Sequence, residues 1–165
     1  YYGLSQLQSE KIFYDKKINW TILRTSVDFG VAKNLQKTNI VLWAIEQLKN
    51  EKKIKIIDDE FRAPTLAEDL SEACINVIIC KAYGIYNTSG PKVMSIYEIV
   101  VEIARHFNFP VQNIQRISSK ILAQKAKRPK FTGLELTKAK KKFNYSPKTL
   151  KESLSIIENQ IKINK

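Results

Sequence analysis

The chain has 165 residues, 44% of them hydrophobic and 10% aromatic, enough for one packed globular domain or a large piece of one. No apolar run approaches the roughly 18 residues that a membrane-spanning helix needs, and residues 1–6 lack the basic-then-apolar pattern of a secretory leader; this excludes a membrane-spanning class and predicts a cytoplasmic protein. With 28 Lys and Arg against 16 Asp and Glu the net charge is +12, which attracts polyanions but suits a phosphorylated small ligand as well as nucleic acid.

Residues 5–16 read as a helix, with Leu7 and Phe13 apolar among polar neighbours, and Asn19-Trp20 leads into the short strand Thr21-Ile22-Leu23. A polar loop over residues 25–34 contains Gly30. The next helix sets Ile40, Val41, Ala44, Ile45 and Leu48 on one side and ends in the basic turn 50–53. Ile54, Ile56 and Ile57 make a second strand, broken at Asp58-Asp59, and residues 61–64 form a loop, since the residue before Pro64 is disfavoured in a helix. Thr65-x-x-Glu68 reads as a capping box for a helix with Leu66, Leu70, Ala73, Cys74, Val77 and Ile78 at the 3.6-residue period. Gly84 stops that helix, Ile85-Tyr86-Asn87 is a short strand, and Thr88-Ser89-Gly90-Pro91 is a loop.

A second capping box, Ser95-x-x-Glu98, opens a helix carrying Ile96, Ile99, Val100, Ile103, Ala104 and Phe107 in register. Residues 110–132 read as loops with at most one short helix. A third box, Thr149-x-x-Glu152, starts a last helix through Leu150, Leu154, Ile157 and Ile161. Cys74 and Cys80, six residues apart in one helical pattern, face different ways, so they are expected to be buried reduced thiols and not a disulfide or metal pair. His106 falls at a helix end, where a positive charge complements the dipole, and no metal site is expected.

Helices alternating with short apolar strands predict an α/β architecture with parallel strands. Ligands of such sheets bind beyond the carboxyl ends of the strands, which directs attention to the loops 25–34, 58–64 and 88–94. The five glycines contain no G-x-G-x-x-G turn, so a dinucleotide pyrophosphate has no visible cradle.

Five segments, in order, resemble the extended short-chain dehydrogenases/reductases of the NAD-dependent epimerase/dehydratase superfamily. Tyr2-Gly3-Leu4-Ser5-Gln6-Leu7-Gln8-Ser9-Glu10 resembles their Y-G-x-S-K-x-x-x-E, and Trp20-Thr21-Ile22-Leu23-Arg24-Thr25-Ser26-Val27-Asp28-Phe29-Gly30 their W-x-I-L-R-T-S-x-x-[YF]-G. Arg62-Ala63-Pro64-Thr65 through Ala73 is similar to R-x-P-T-x-x-x-D-L-A, Gly84-Ile85-Tyr86-Asn87-Thr88-Ser89-Gly90 to G-[IV]-[YF]-[NH]-x-[SG]-G, and Ala126-Lys127-Arg128-Pro129 to A-x-R-P. The subgroup most resembled is the dTDP-4-dehydrorhamnose reductase type. The resemblance implies that residues 1–165 are the C-terminal, substrate-binding part of a Rossmann-like extended enzyme, including its small substrate lobe, with the cofactor-binding half outside this sequence.

The resemblance also implies roles. Tyr2 takes the place of the proton donor; Gln6 stands where the family has a lysine whose charge lowers the tyrosine pKa and holds the nicotinamide ribose. Arg24, Thr25 and Ser26 would line the NAD or NADP of the complete protein, no tight cofactor binding being expected of this part alone. Arg62, Pro64, Thr65 and Arg128 would face a nucleotide-diphosphate sugar, the two guanidiniums because their forks match phosphate, the proline and threonine more as helix-start residues. Because Gln6 cannot supply the lysine's field, a binding or regulatory relative without catalysis is the alternative. A homodimer is left open, and nucleic acid is disfavoured because no aromatics interleave Lys138 to Lys142.

Overall fold

The computed structural model describes residues 2–32, 38–121 and 128–163. In chain order these form α1 (Tyr2–Tyr14), β1 (Thr21–Arg24), β2 (Asp28–Phe29), α2 (Ile40–Lys49), β3 (Ile54–Ile57), β4 (Phe61–Arg62), β5 (Thr65–Leu66), α3 (Ala67–Ile79), β6 (Gly84–Asn87), β7 (Met94–Ser95), α4 (Ile96–His106), β8 (Ile114–Ile117), β9 (Phe131–Thr132), α5 (Thr137–Phe143) and α6 (Leu150–Ile163), with single 3-10 turns at Val111–Asn113 and Ser119–Ile121.

β1 and β6 pair in parallel from Thr21↔Gly84 to Arg24↔Asn87, and the Thr88 N–H extends the ladder by donating to the Arg24 carbonyl at 2.7 Å. β3 and β8 pair in parallel from Ile54↔Ile114 to Ile57↔Ile117. The remaining strands are two residues long: β2 beside β5, and β4 between β7 (antiparallel) and β9 (parallel). Two of these pairings correct the reading of residues 110–132 as loops, because β8 and β9 lie in that stretch. Neither has a local signature; each exists because a distant strand supplies its partner.

The larger core surrounds α4. Ser95 caps this helix as expected: its hydroxyl accepts the Glu98 N–H at 3.1 Å and the Glu98 carboxylate accepts the Ser95 N–H at 2.7 Å. Ile99, Val100 and Ile103 are fully buried against α2, α6 and the β3-β8 pair, each burial being worth about 1.5–3 kcal/mol. The Thr149 and Glu152 pair closes the same reciprocal cap on α6. α2 is capped by Asn39, whose Oδ1 accepts from the Val41 and Leu42 N–H groups while its Nδ2 donates to the Gly30 carbonyl at 2.8 Å.

The first anticipated box, Thr65-x-x-Glu68, is absent. α3 begins after Leu66 with no side-chain cap, and Thr65 belongs to β5, its hydroxyl turned into the interior. The inner face of α3 also differs from the expected one: Asp69, Ala73 and Val77 are buried, while Ile75, Ile78 and Ile79 are exposed. Both cysteines are exposed, which corrects their assignment to the core. Asp69 lies on the buried face, its carboxylate held by the Lys148 backbone N–H at 2.8 Å and ammonium at 2.7 Å, and Cys74 and Ile78 fall on the other side of the helix. A smaller core joins Ala73 and Val77 to Tyr86, Leu136, Phe143 and Tyr145.

Candidate functional site

Thr65 is the hub of the site. Its fully buried hydroxyl donates to the Ser26 carbonyl at 2.7 Å, lies 3.1 Å from the Ala63 carbonyl, and accepts the Gly90 N–H at 3.0 Å. Its own N–H donates to the Val27 carbonyl at 3.1 Å. One side chain thereby ties together the loops that follow β1, β4 and β6. Gly90 completes the junction by contact: a Cβ there would sit 1.9 Å from the Pro64 carbonyl oxygen, so only glycine fits. The Tyr145 hydroxyl donates to the Ser89 carbonyl at 3.1 Å, and burial, followed by the charges of Asp69 and Asp28, pushes that phenol well above its ordinary range.

β9 adds a fourth segment. The Ser26 and Thr132 hydroxyls are 3.3 Å apart, and the Lys130 carbonyl accepts the Phe61 N–H at 2.6 Å. Arg128, exposed three residues before β9, is carried to the edge of the junction, whereas Lys125, Ala126 and Lys127 lie outside the described residues. Val27, within the first loop, is β-branched yet has φ 41°, a left-handed conformation that costs such a residue about 1–3 kcal/mol.

Arg62 and Arg24 each pair with a carboxylate of this chain. Arg62 is buried, with Nη2 on the Glu60 carboxylate at 2.6 Å and Nη1 on the Phe61 and Lys130 carbonyls at 2.8 and 3.3 Å. Its fork points into the β4-β9 junction, an orientation no local pattern signals. Arg24 meets Glu10 with two prongs, Nε to Oε1 at 2.8 Å and Nη2 to Oε2 at 2.6 Å, and this contact holds the Glu10 carboxyl below its usual range. Thr25 donates to Asp28 at 2.7 Å. Gln6 is exposed on α1; Tyr2 opens that helix, its side chain lying outside the described residues, as does Tyr1.

Thr132 and Glu60 carry no signal in the sequence. Ser89 and Gly90 are legible as motif and loop residues, but nothing local announces the close approach of Pro64 to Gly90. Two shallow clefts occur elsewhere on the described surface, the first sharing Tyr145 with the junction. One is bordered by Asp69, Asn76 and Tyr145, the other by Glu102, Arg105, His106 and Lys151 between α4 and α6. The junction is itself buried at Ser26, Thr65, Thr88 and Ser89, with Thr25, Phe61 and Arg128 exposed around it.

A family model described as the RmlD substrate binding domain matches residues 1–162. A curated relative, the dTDP-4-dehydrorhamnose reductase of Aggregatibacter actinomycetemcomitans, is 27% identical over 167 residues, covering 94% of this chain and 55% of the relative. The methionine adenosyltransferase 2 subunit beta of Xenopus laevis is 25% identical, covering 71% of this chain and 36% of that protein. Among solved structures, the dTDP-4-dehydrorhamnose reductase from Bacillus anthracis, in complex with NADP, superimposes with a TM-score of 0.86 at 24% identity, over 96% of this chain and 55% of that one. The chain thus spans about half the length of the relatives it matches, with a mixed α/β fold corresponding to their C-terminal part.

Proposed function

We propose, for a chain that belongs to the RmlD substrate binding domain family, that residues 1–165 are the substrate-binding half of a cytoplasmic NADP- or NAD-dependent reductase acting on a nucleotide-diphosphate sugar. The observation that supports this reading is the Thr65 junction, which gathers the loops after three strands, together with β9, at one place. The exposed rim of this buried junction, Thr25, Phe61 and Arg128, lies by the carboxyl ends of strands, where ligands of such sheets bind, and would form one wall of a ligand cleft. A Rossmann half, absent from this sequence, would supply the other wall. Thr25 and Ser26, at the end of β1, fit the nicotinamide end of a cofactor, and the lack of a G-x-G-x-x-G turn leaves the pyrophosphate to that other half.

When bound, the reduced nicotinamide supplies hydride to a keto carbon. The Tyr2 hydroxyl gives its proton to the resulting oxyanion. Gln6, an amide, stands where the family's lysine carries charge and cannot supply that field, so turnover is slow. Arg128 is free to pair with the diphosphate of the sugar nucleotide. Arg62, together with Pro64 and Thr65, shapes the floor beneath it.

Titration of dTDP into the chain, followed by amide NMR, tests this reading. Shifts confined to Ser26, Thr88, Gly90 and the Arg128 turn are expected, with loss of binding in Arg128→Ala. Shifts confined to α4 and α6, or none, refute it. A second reading, a regulatory subunit without turnover, is favoured by Gln6 and by the similarity to methionine adenosyltransferase 2 subunit beta. Restoring the lysine with Gln6→Lys in the protein completed by its cofactor half separates the two: a gain in NADPH oxidation supports the reductase, and no turnover before or after supports the regulator.

A further inference from the structure

α1 is held to the rest of the molecule in an unusual way. None of its residues belongs to either hydrophobic core, and Leu4 and Ile12 are 57% and 63% exposed. Contacts from Tyr14 and Glu10 tie it to β1 and the residue before it. Tyr14 stacks on Trp20 with ring centroids 5.9 Å apart, and Glu10 grips Arg24 through both carboxylate oxygens. Tyr14 also donates to Glu10 at 3.2 Å, joining the two contacts into one. Trp20 precedes β1 and Arg24 ends it, so α1 runs opposite to the strand, with its N-terminal end toward the strand's carboxyl end.

Positions 2, 6, 10 and 14 are four residues apart and share one helix face. At 1.5 Å per residue, Gln6 stands about 6 Å and position 2 about 12 Å beyond Glu10 along the axis. That projection carries them past Arg24, toward the loops at Thr25 and Thr88. The Glu10 contact with Arg24 therefore bears on the height and rotation of this end.

We propose that Glu10 and Arg24 are positioning residues: their two-pronged ion pair sets how far, and at what rotation, the Tyr2 and Gln6 end of α1 stands over the loop cluster. In this role Arg24 acts through Glu10, which takes its Nε and one Nη2 hydrogen, and not as a ligand of the cofactor. This role rests on the reductase reading for its catalytic consequence and on the geometry alone for its structural one.

Glu10→Gln, Arg24→Gln and the exchanged pair Glu10→Arg with Arg24→Glu form the test. In the chain, hydrogen exchange over residues 3–14 is compared with exchange in α4 and α6. Each single variant is expected to accelerate exchange in α1 by about tenfold while α4 and α6 keep their rates, and the exchanged pair to recover most of it. Unchanged α1 protection in the single variants, or equal losses in α4 and α6, overturns the proposal.

In the protein completed by its cofactor half, the single variants are expected to lower kcat by about tenfold at constant KM for NADPH, with recovery in the exchanged pair. A raised KM in Arg24→Gln that the exchange does not restore would make Arg24 a cofactor ligand and overturn the proposal. Absence of turnover in the unaltered protein refutes the reductase reading, and the exchange comparison still decides the positioning one.

Discussion

Replacing Thr65 with valine removes one hydroxyl and changes almost nothing else in shape. The hydroxyl donates to Ser26 and accepts from Gly90 at a residue with 0% exposure. Valine therefore strands a buried carbonyl and a buried N–H with no route to water. Each unsatisfied group costs about 1–3 kcal/mol, and partial relaxation of three surface loops places the sum at about 2–4 kcal/mol. Thr65→Ser keeps both hydrogen bonds and loses a methyl group, for about 1 kcal/mol. Urea unfolding of the two variants and the parent measures the difference directly. With a slope of about 2 kcal/mol per molar, the valine midpoint falls by about 1–2 M and the serine midpoint by about 0.5 M. If valine proves as stable as the parent, or serine proves the costlier change, the hydroxyl is not what joins the loops.

Gly90→Ala drives a Cβ to within 1.9 Å of the Pro64 oxygen, a backbone atom with little room to yield. Thermal unfolding should register a loss of at least about 3 kcal/mol, and a variant as stable as the parent would contradict the close approach. Glu60→Gln leaves the Arg62 guanidinium buried without its countercharge. Calorimetry should show a loss of about 3–5 kcal/mol, whereas the double change to Glu60→Leu and Arg62→Met comes within about 1–2 kcal/mol of the parent.

The Lys148 ammonium, hydrogen-bonded to Asp69, is held above its ordinary pKa. A raised folded-state pKa contributes stability that is complete below the unfolded value, near 10.4, and disappears as pH rises through the folded one. Stability should therefore fall on the alkaline side of about pH 10, and Lys148→Met should flatten that fall; an unchanged alkaline limb would exclude the pair as its source.

What the sequence determined by itself is the local part of this molecule. The period of Ile99, Val100 and Ile103 after the Ser95 cap specifies α4 without help from elsewhere, because helix hydrogen bonds and capping close within a few residues. The runs at Thr21 and Ile54 announce β1 and β3 in the same way, and their carboxyl ends already pointed to the loops where a ligand would sit.

Only the tertiary structure decided the rest. Strands of two residues, such as β4, β5 and β9, are defined by partners tens of residues away, and the Thr65 hydroxyl that looked like a helix cap is bonded to Ser26, 39 residues distant. The inward turn of Arg62 onto Glu60, and the burial of the Asp69 face of α3 against Lys148, depend on where buried polar groups find their partners. A buried polar atom must be satisfied wherever a partner lies in space, and sequence spacing carries no record of that distance.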